Sequence, residues 1–214
     1  GAPNRDDGDL MNTERLVEHI IQRASGRKRH IVAIAGPPGA GKSTFAQELL
    51  EMLTKKAVRA RIISMDGFHL DNLVLAERGL LARKGAPATF DVMGFVHLMK
   101  RLTDLEADVA IPTFDRKRDL SIAGADIISA QDTVLIVEGN YLLLKEHPWA
   151  GLTGFWDETI FIDPGAIVLE KRLLERWLEH GLDAAAAKTR AMSNDIPNAH
   201  YVLDNSSDAN IQIT

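Results

Sequence analysis

The sequence predicts an α/β fold, a mostly parallel sheet with helices on both faces and a small helical lid. Three observations carry that expectation. Short, continuously apolar runs alternate along the chain with longer segments of helical spacing, which is how strands buried on both faces read. The stretch Gly36-Pro37-Pro38-Gly39-Ala40-Gly41-Lys42-Ser43 fits G-x-x-x-x-G-K-[ST] at every fixed position and lies between an apolar run and a helical one. Two further apolar runs end in an acidic residue, Asp66 and Glu138. Ligands of such sheets sit beyond the carboxyl ends of the strands, so the residues that follow each strand are the candidates for chemistry.

Taken in order, residues 1–9 are polar and read as a loose terminus, leaving 10–214 as one domain. Leu10 to Ala24 reads as an amphipathic helix with Leu16, Val17, Ile20 and Ile21 on one face. A strand at 30–35 leads into the glycine-rich loop, and a helix follows from Thr44 to Leu53. Ala60 to Met65 is a second strand; Leu70 to Ala82 looks helical, Gly85 to Thr89 is a loop, and Val92 to Leu105 is helical with Asp91 as its N-cap. Asp108 to Ile111 is a short strand ending at Pro112, followed by a polar loop with Asp115, Arg116, Lys117, Arg118 and Asp119. Thr133 to Val137 and Thr159 to Ile162 are strands. Asp163-Pro164 gives the cap-then-proline order of a helix start, and Gly181 can end that helix near His180. Asp183 to Met192 reads as a last helix and Ile211 to Ile213 as a terminal strand.

Composition narrows the function classes. The chain has 214 residues, 45% hydrophobic and 26% charged, which is long enough for a substantial core and ordinary for a globular protein. A net charge of −5 without a basic tract argues against extended nucleic-acid binding. The absence of cysteine excludes disulfides and thiolate metal sites. No segment reaches the apolar length of a membrane span, no signal peptide is visible, and a cytoplasmic location is the expectation. A homodimer is compatible with these residues and not decided by them.

The glycine-rich loop predicts binding of a nucleoside triphosphate. Glycines let successive N–H groups turn inward onto phosphate oxygens, and the helix that starts there adds its positive end. Gly36, Pro37, Pro38, Gly39, Ala40, Gly41, Lys42, Ser43 and Thr44 are the expected nucleotide-binding residues, with Lys42 on the terminal phosphates and the Ser43 hydroxyl on Mg²⁺. Asp66 could ligate Mg²⁺, accept a proton from an attacking hydroxyl, or only turn the chain with Gly67. Glu138 reads as a second magnesium-holding element or as a solvated strand end. Arg116, Lys117 and Arg118 could reach a substrate or pair with Asp115 and Asp119. Arg172 and Arg176, four apart on one helix face, could fold over the triphosphate, but Lys171 with Glu175 would equally suit a plain exposed face. His69, Asp71 and Asn72 could line an acceptor pocket, or His69 could cap a helix or pack in the core.

Gly36–Thr44, Met65–Asn72, Glu77-Arg78-Gly79-Leu80, Arg83–Pro87 and Phe90-Asp91 together resemble the uridine kinase, phosphoribulokinase and bacterial pantothenate kinase superfamily. Asp66 to Asp91 is especially similar to bacterial pantothenate kinase, and Val137 to Leu143 resembles the second acidic strand of the family. With Pro112-Thr113-Phe114-Asp115-Arg116, the chain looks more like the small proteins labelled fructose transport system kinases. The resemblance covers about residues 30 to 205. It implies a P-loop NTPase fold and Mg-dependent transfer of the γ-phosphoryl group of ATP to a hydroxyl of a small metabolite, whether sugar, nucleoside or pantothenate-like. It further implies Lys42 on phosphate, Ser43 and Glu138 on Mg²⁺, Asp66 as base, and Arg172 and Arg176 in the lid; His69 and Arg116 are expected at the acceptor from their places after the strands. The chain is shorter than pantothenate kinase, and its Pro112–Asp115 segment differs from the tyrosine-containing loop of that enzyme.

Competing classes lack their marks. The guanine-reading N-K-x-D tetrapeptide is absent, as are the H-R-D and D-F-G of protein kinases. Lys42-Ser43 after Gly41 favours a triphosphate over a dinucleotide. A rival outside the small-molecule kinases is an ATPase with a regulatory or binding role and no acceptor.

Overall fold

The computed structural model describes residues 7–214, with side chains from Thr13 onward. Five parallel strands form the main sheet: β1 (His30–Ala35), β2 (Ala60–Ser64), β5 (Val134–Gly139), β6 (Glu158–Ile162) and β7 (Ile211–Ile213), in the order β2-β5-β1-β6-β7. All six residues of β1 and all six of β5 are buried, since these central strands are covered on both faces. Alternate side chains feed two cores. Ala33, Ala35, Leu135 and Val137 face α4 (Val92–Thr103), with its Phe95, Met99 and Leu102. Val32, Ile34, Val134 and Ile136 face α1 (Asp7–Ala24) and α2 (Lys42–Lys55), where Val17, Ile20, Leu49 and Leu53 are fully buried. Each such aliphatic side chain contributes about 1.5–3 kcal/mol by leaving water. At the edge of the sheet away from the glycine-rich loop, buried Glu158 takes His19 at 2.6 Å and ties α1 to β6.

Several elements depart from expectation. α1 begins at Asp7, so the expected loose segment 1–9 overlaps it; its first six residues lie outside the described ones. The expected helix 70–82 is only α3 (Asn72–Glu77). Asp71 caps it by accepting from the Leu73 N–H at 2.9 Å, and Gly79, at φ 67°, lets the chain turn away. The expected strand 108–111 does not join the main sheet. It is the start of β3 (Val109–Asp115), which pairs antiparallel with β4 (Leu120–Ile128) in a separate two-stranded sheet. The register shifts between Ile111 and Thr113, at Pro112, which has no N–H to donate. The charged loop is thus a hairpin turn, closed by Asp115 accepting from the backbone and side chain of Arg118.

Asp163-Pro164 does not cap a helix. The Asp163 N–H extends the ladder to the Ile213 carbonyl at 2.9 Å, and α5 (Ala166–Glu179) starts two residues after Pro164. The last helix is longer than 183–192. Asp183 caps α6 (Ala184–Arg190), a widened turn spans Ala191–Asp195, and α7 (Ile196–Asn205) continues beyond it. Pro197 lacks the N–H that a regular α-turn would need there, and widening the turn accommodates it.

Candidate active site

The glycine-rich loop joins β1 to α2, as the spacing predicts. Gly36 has no room for a side chain, because a Cβ there would lie 2.4 Å from the Ile162 carbonyl oxygen of the neighbouring strand. Gly41 sits at φ 90° as the residue before α2, a left-handed conformation that favours glycine. Lys42 is buried and donates to the Pro37 carbonyl across the loop at 3.0 Å. Burial pushes its ammonium down to about 8, against the pull of Glu138 and Asp66. Ser43 and Thr44 are exposed at the helix start.

α5 lies over this loop. Leu173 would be 3.3 Å from a Cβ on Gly39, and Arg172 donates to the Gly39 carbonyl at 3.1 Å. Arg176, one turn on, is held below its ordinary value by burial and then by Arg116, with Asp195 and Asp66 opposing. The alternative reading of a plain charged face describes only the outer side of the helix, where exposed Lys171 and Glu175 lie 4.0 Å apart.

The two acids meet at the carboxyl ends of adjacent strands. Ser64 pairs with Glu138 in the β2–β5 register. The Ser64 hydroxyl accepts from the Asp66 N–H at 3.3 Å, which fixes that turn, and it favours the ionised form of the neighbouring Glu138. Burial first, and the nearby Asp66 second, raise the Glu138 carboxyl above the usual range, while Lys42 and Ser64 work the other way. Asp66 is half-buried between His69 Nε2 and an Arg116 guanidinium nitrogen, each 3.7 Å away. Both distances exceed a hydrogen bond, so the carboxylate can still accept one from a substrate hydroxyl. Gly67 is there because β3 crosses closely, leaving 2.7 Å between a hypothetical Cβ and the Pro112 carbonyl oxygen.

A cavity of about 320 Å³ opens beside Asp66 and is lined also by His69, Phe114, Arg116, Arg176 and Asn194. That size suits a small metabolite. A larger cleft, about 610 Å³, is lined by Pro87, Trp149 and Tyr201 and by none of Lys42, Asp66 or Glu138. Asp66 lines the smaller one. His69 is stacked between Phe90 and Phe114, at centroid distances of 4.2 and 4.6 Å, and its burial favours the neutral imidazole.

Lys42, Asp66, Glu138, Arg116 and Arg176 thus act on one another, and His69 joins them through Asp66. Asp71 is a helix cap, Arg118 holds the hairpin turn, and Lys117 is exposed. Asn72 bonds Lys84 and Asp119. Sequence reading missed Ser64, Lys84, Phe114, Asn140, Trp177, Arg190, Asn194 and Asp195 as neighbours of the site. Lys84, Phe114 and Asn140 lay inside the segments that carry the family resemblance. The others had no spacing signal.

Among the described residues no helix is long and apolar enough to cross a membrane. Residues 31–214 match the family described as Phosphoribulokinase / Uridine kinase family. Over 208 residues the chain is 33% identical to the Uncharacterized protein YggC of Escherichia coli (strain K12), covering 95% of this chain and 86% of that one. It is 34% identical over 163 residues to a pantothenate kinase of Limosilactobacillus fermentum, covering 74% of this chain but 52% of that kinase. A Silicibacter sp. TM1040 protein with the provisional label fructose transport system kinase has a crystal structure that matches with a TM-score of 0.90. Its identity is 42%, over 94% of this chain and 98% of that one. The chain belongs to the Phosphoribulokinase / Uridine kinase family of small-molecule kinases.

Proposed function

We propose that the chain moves the γ-phosphoryl group of ATP to a hydroxyl of a small metabolite, with Asp66 as the base. The observation that carries this is the place of Asp66. It lies at the carboxyl edge of the sheet, in the field of Lys42 and Glu138 on one side and on the wall of a metabolite-sized cavity on the other. A hydroxyl bound there gives its proton to the Asp66 carboxylate as its oxygen bonds phosphorus and the bond to the leaving ADP breaks. Lys42 and the loop N–H groups hold the terminal phosphates, and Arg176 offsets the charge that spreads over the transferring group.

The residues present fit a magnesium ion. Glu138 is a buried carboxylate in the field of Lys42 and Asp66, at the carboxyl end of β5, and Ser43 offers a hydroxyl at the start of α2. That donor set suits Mg²⁺, which is bound through one or two protein oxygens with substrate phosphates completing the shell. Ser43 and Glu138 would hold it, and when bound it neutralises phosphate charge. Ser43→Ala and Glu138→Ala should each raise the Mg²⁺ concentration needed for half-maximal rate. Titrations that superimpose on those of the parent would refute this assignment.

Lys42 supplies a second check. At pH 8 about half of the nucleotide-free molecules hold its proton, and bound phosphates would restore full protonation. Binding of MgATP at pH 8 should therefore take up about half a proton. Calorimetry in buffers of different ionisation heat measures it; heats independent of buffer would count against Lys42 as the phosphate ligand. The function itself is tested by ADP release with and without candidate acceptors. Steady hydrolysis that no acceptor raises would favour an ATPase with a regulatory role.

A further inference from the structure

One residue that lines the cavity, Asn194, holds a buried acceptor atom with nothing to bond. In the widened turn Ala191–Asp195 the backbone reaches back five residues rather than four, and such turns recur at functional sites. It puts two consecutive residues of the cavity wall, Asn194 and Asp195, in the interior, with Asn194 only 4% exposed. The Asn194 amide has a fixed orientation, because Nδ2 donates to the Lys84 carbonyl at 2.9 Å and only the NH₂ end can do so. Oδ1 is left buried without a hydrogen-bond partner. An unmade hydrogen bond in the interior is costly, so a ligand that donates one there gains accordingly.

Apart from Arg176, the cations on this wall each face a carboxylate. Lys84 bonds Asp119 at 3.0 Å and also the Asn72 side chain and the Asp119 carbonyl, which uses all its donors. Arg116 faces Asp66, and Arg190 acts on Asp195 while lying over the Trp177 ring. Arg176 is left for the transferring phosphate. What remains without a partner is neutral: Asn194 Oδ1 and the buried Nδ1 of His69.

We propose that Asn194 is the specificity-determining residue that reads a second hydroxyl of the acceptor, and that the acceptor is a neutral polyhydroxylated molecule, a polyol or sugar, rather than an acid or a phosphate ester. This rests on the reading of Asp66 as the base of a kinase. One hydroxyl is deprotonated at Asp66, and another donates to Asn194 Oδ1.

The test is ADP release from MgATP by the full chain. It is run against small polyols and sugars, and against the same carbon skeletons as carboxylic acids and phosphate monoesters. Neutral compounds should raise the rate. With the best of them, Asn194→Ala should raise the acceptor KM roughly 10–100-fold while the KM for MgATP holds. The deoxy analogue lacking the read hydroxyl should lose as much with the parent and nothing more with the variant. Stimulation confined to acids or phosphate esters overturns the proposal and leaves the kinase reading standing, whereas a rate that neither set raises overturns both. A variant that weakens MgATP and acceptor alike shows Asn194 to be structural. Should Asn194→Ala not fold, the deoxy series on the parent decides. If every analogue that keeps the phosphorylated hydroxyl matches the intact acceptor, no second hydroxyl is read.

Discussion

Replacing Asp66 with asparagine will lower acceptor-dependent turnover roughly 10²–10⁴-fold, which is about 3–5 kcal/mol of barrier. Asparagine keeps the shape but cannot take a proton, so an acceptor hydroxyl would have to lose its proton to water. The affinity for MgATP should change little, because Lys42 and Glu138 stay in place. A secondary effect distinguishes this from mere disturbance. Burial first and Asp66 second hold the Glu138 carboxyl above the usual range. Removing the Asp66 charge should let Glu138 stay ionised to lower pH, so the acid-side loss of MgATP binding should move down. Steady-state rates and binding isotherms across pH measure both. A large loss of MgATP binding at neutral pH would instead make Asp66 a metal ligand, and parent-like turnover would reduce it to a turn residue before Gly67.

Lys42→Ala is expected to remove transfer by more than roughly 10³-fold, since it deletes the one buried cation of the loop at the point where phosphate charge must be met. The same lysine is a burden to the nucleotide-free protein. Its proton leaves at about 8 in the folded chain and near 10.4 in the unfolded one. Between those values the unfolded state binds more protons, so stability gains as pH rises; below about 8 the penalty of a buried charge is fully present. Lys42→Met, which keeps the stem, should therefore unfold about 1–3 kcal/mol less readily at pH 7, and the advantage should shrink towards pH 10. Denaturant melts at the two pH values check this; a variant less stable than the parent at pH 7 would contradict it. Function and stability oppose each other at this position.

How far the molecule could be read from its residues depended on how local each cause was. The glycine-rich loop was legible as the link between β1 and α2, because Gly41 and Lys42 answer demands set within a few residues, although the closeness that excludes a side chain at Gly36 comes from Ile162 on another strand. Strand-end acids were legible as positions, and their closeness became visible only when β2 and β5 paired and brought Ser64 opposite Glu138. Periodicity identified β3 but not its sheet, since strand partners are chosen at long range, and a highly charged turn concealed β4. Local chemistry misled at Asp163-Pro164, where ladder pairing with Ile213 outweighed a cap-like dipeptide. The last helix read as ending at Met192, whereas the widened turn Ala191–Asp195 carries the chain on into α7 and sets Asn194 and Asp195 into the wall of the cavity. No spacing rule announces a residue whose role comes from such an irregularity.

The β3–β4 hairpin shares no ladder with the five strands that hold the phosphate loop. It rests on the short turn Met65–Phe68 and holds Phe114, Arg116 and Asp119 beside Asp66 from outside. The turn before α7 closes the opposite wall, also from outside the sheet. On the proposed reading, the machinery that handles ATP and the grip that selects its recipient would be separate pieces of chain meeting at one carboxylate. Lys117, at the tip of the hairpin, is exposed and can be exchanged without touching a strand of the main sheet or the Arg116–Asp66 pair. Redesign for a different recipient can therefore proceed like changing the bit in a drill, with the motor left as it is.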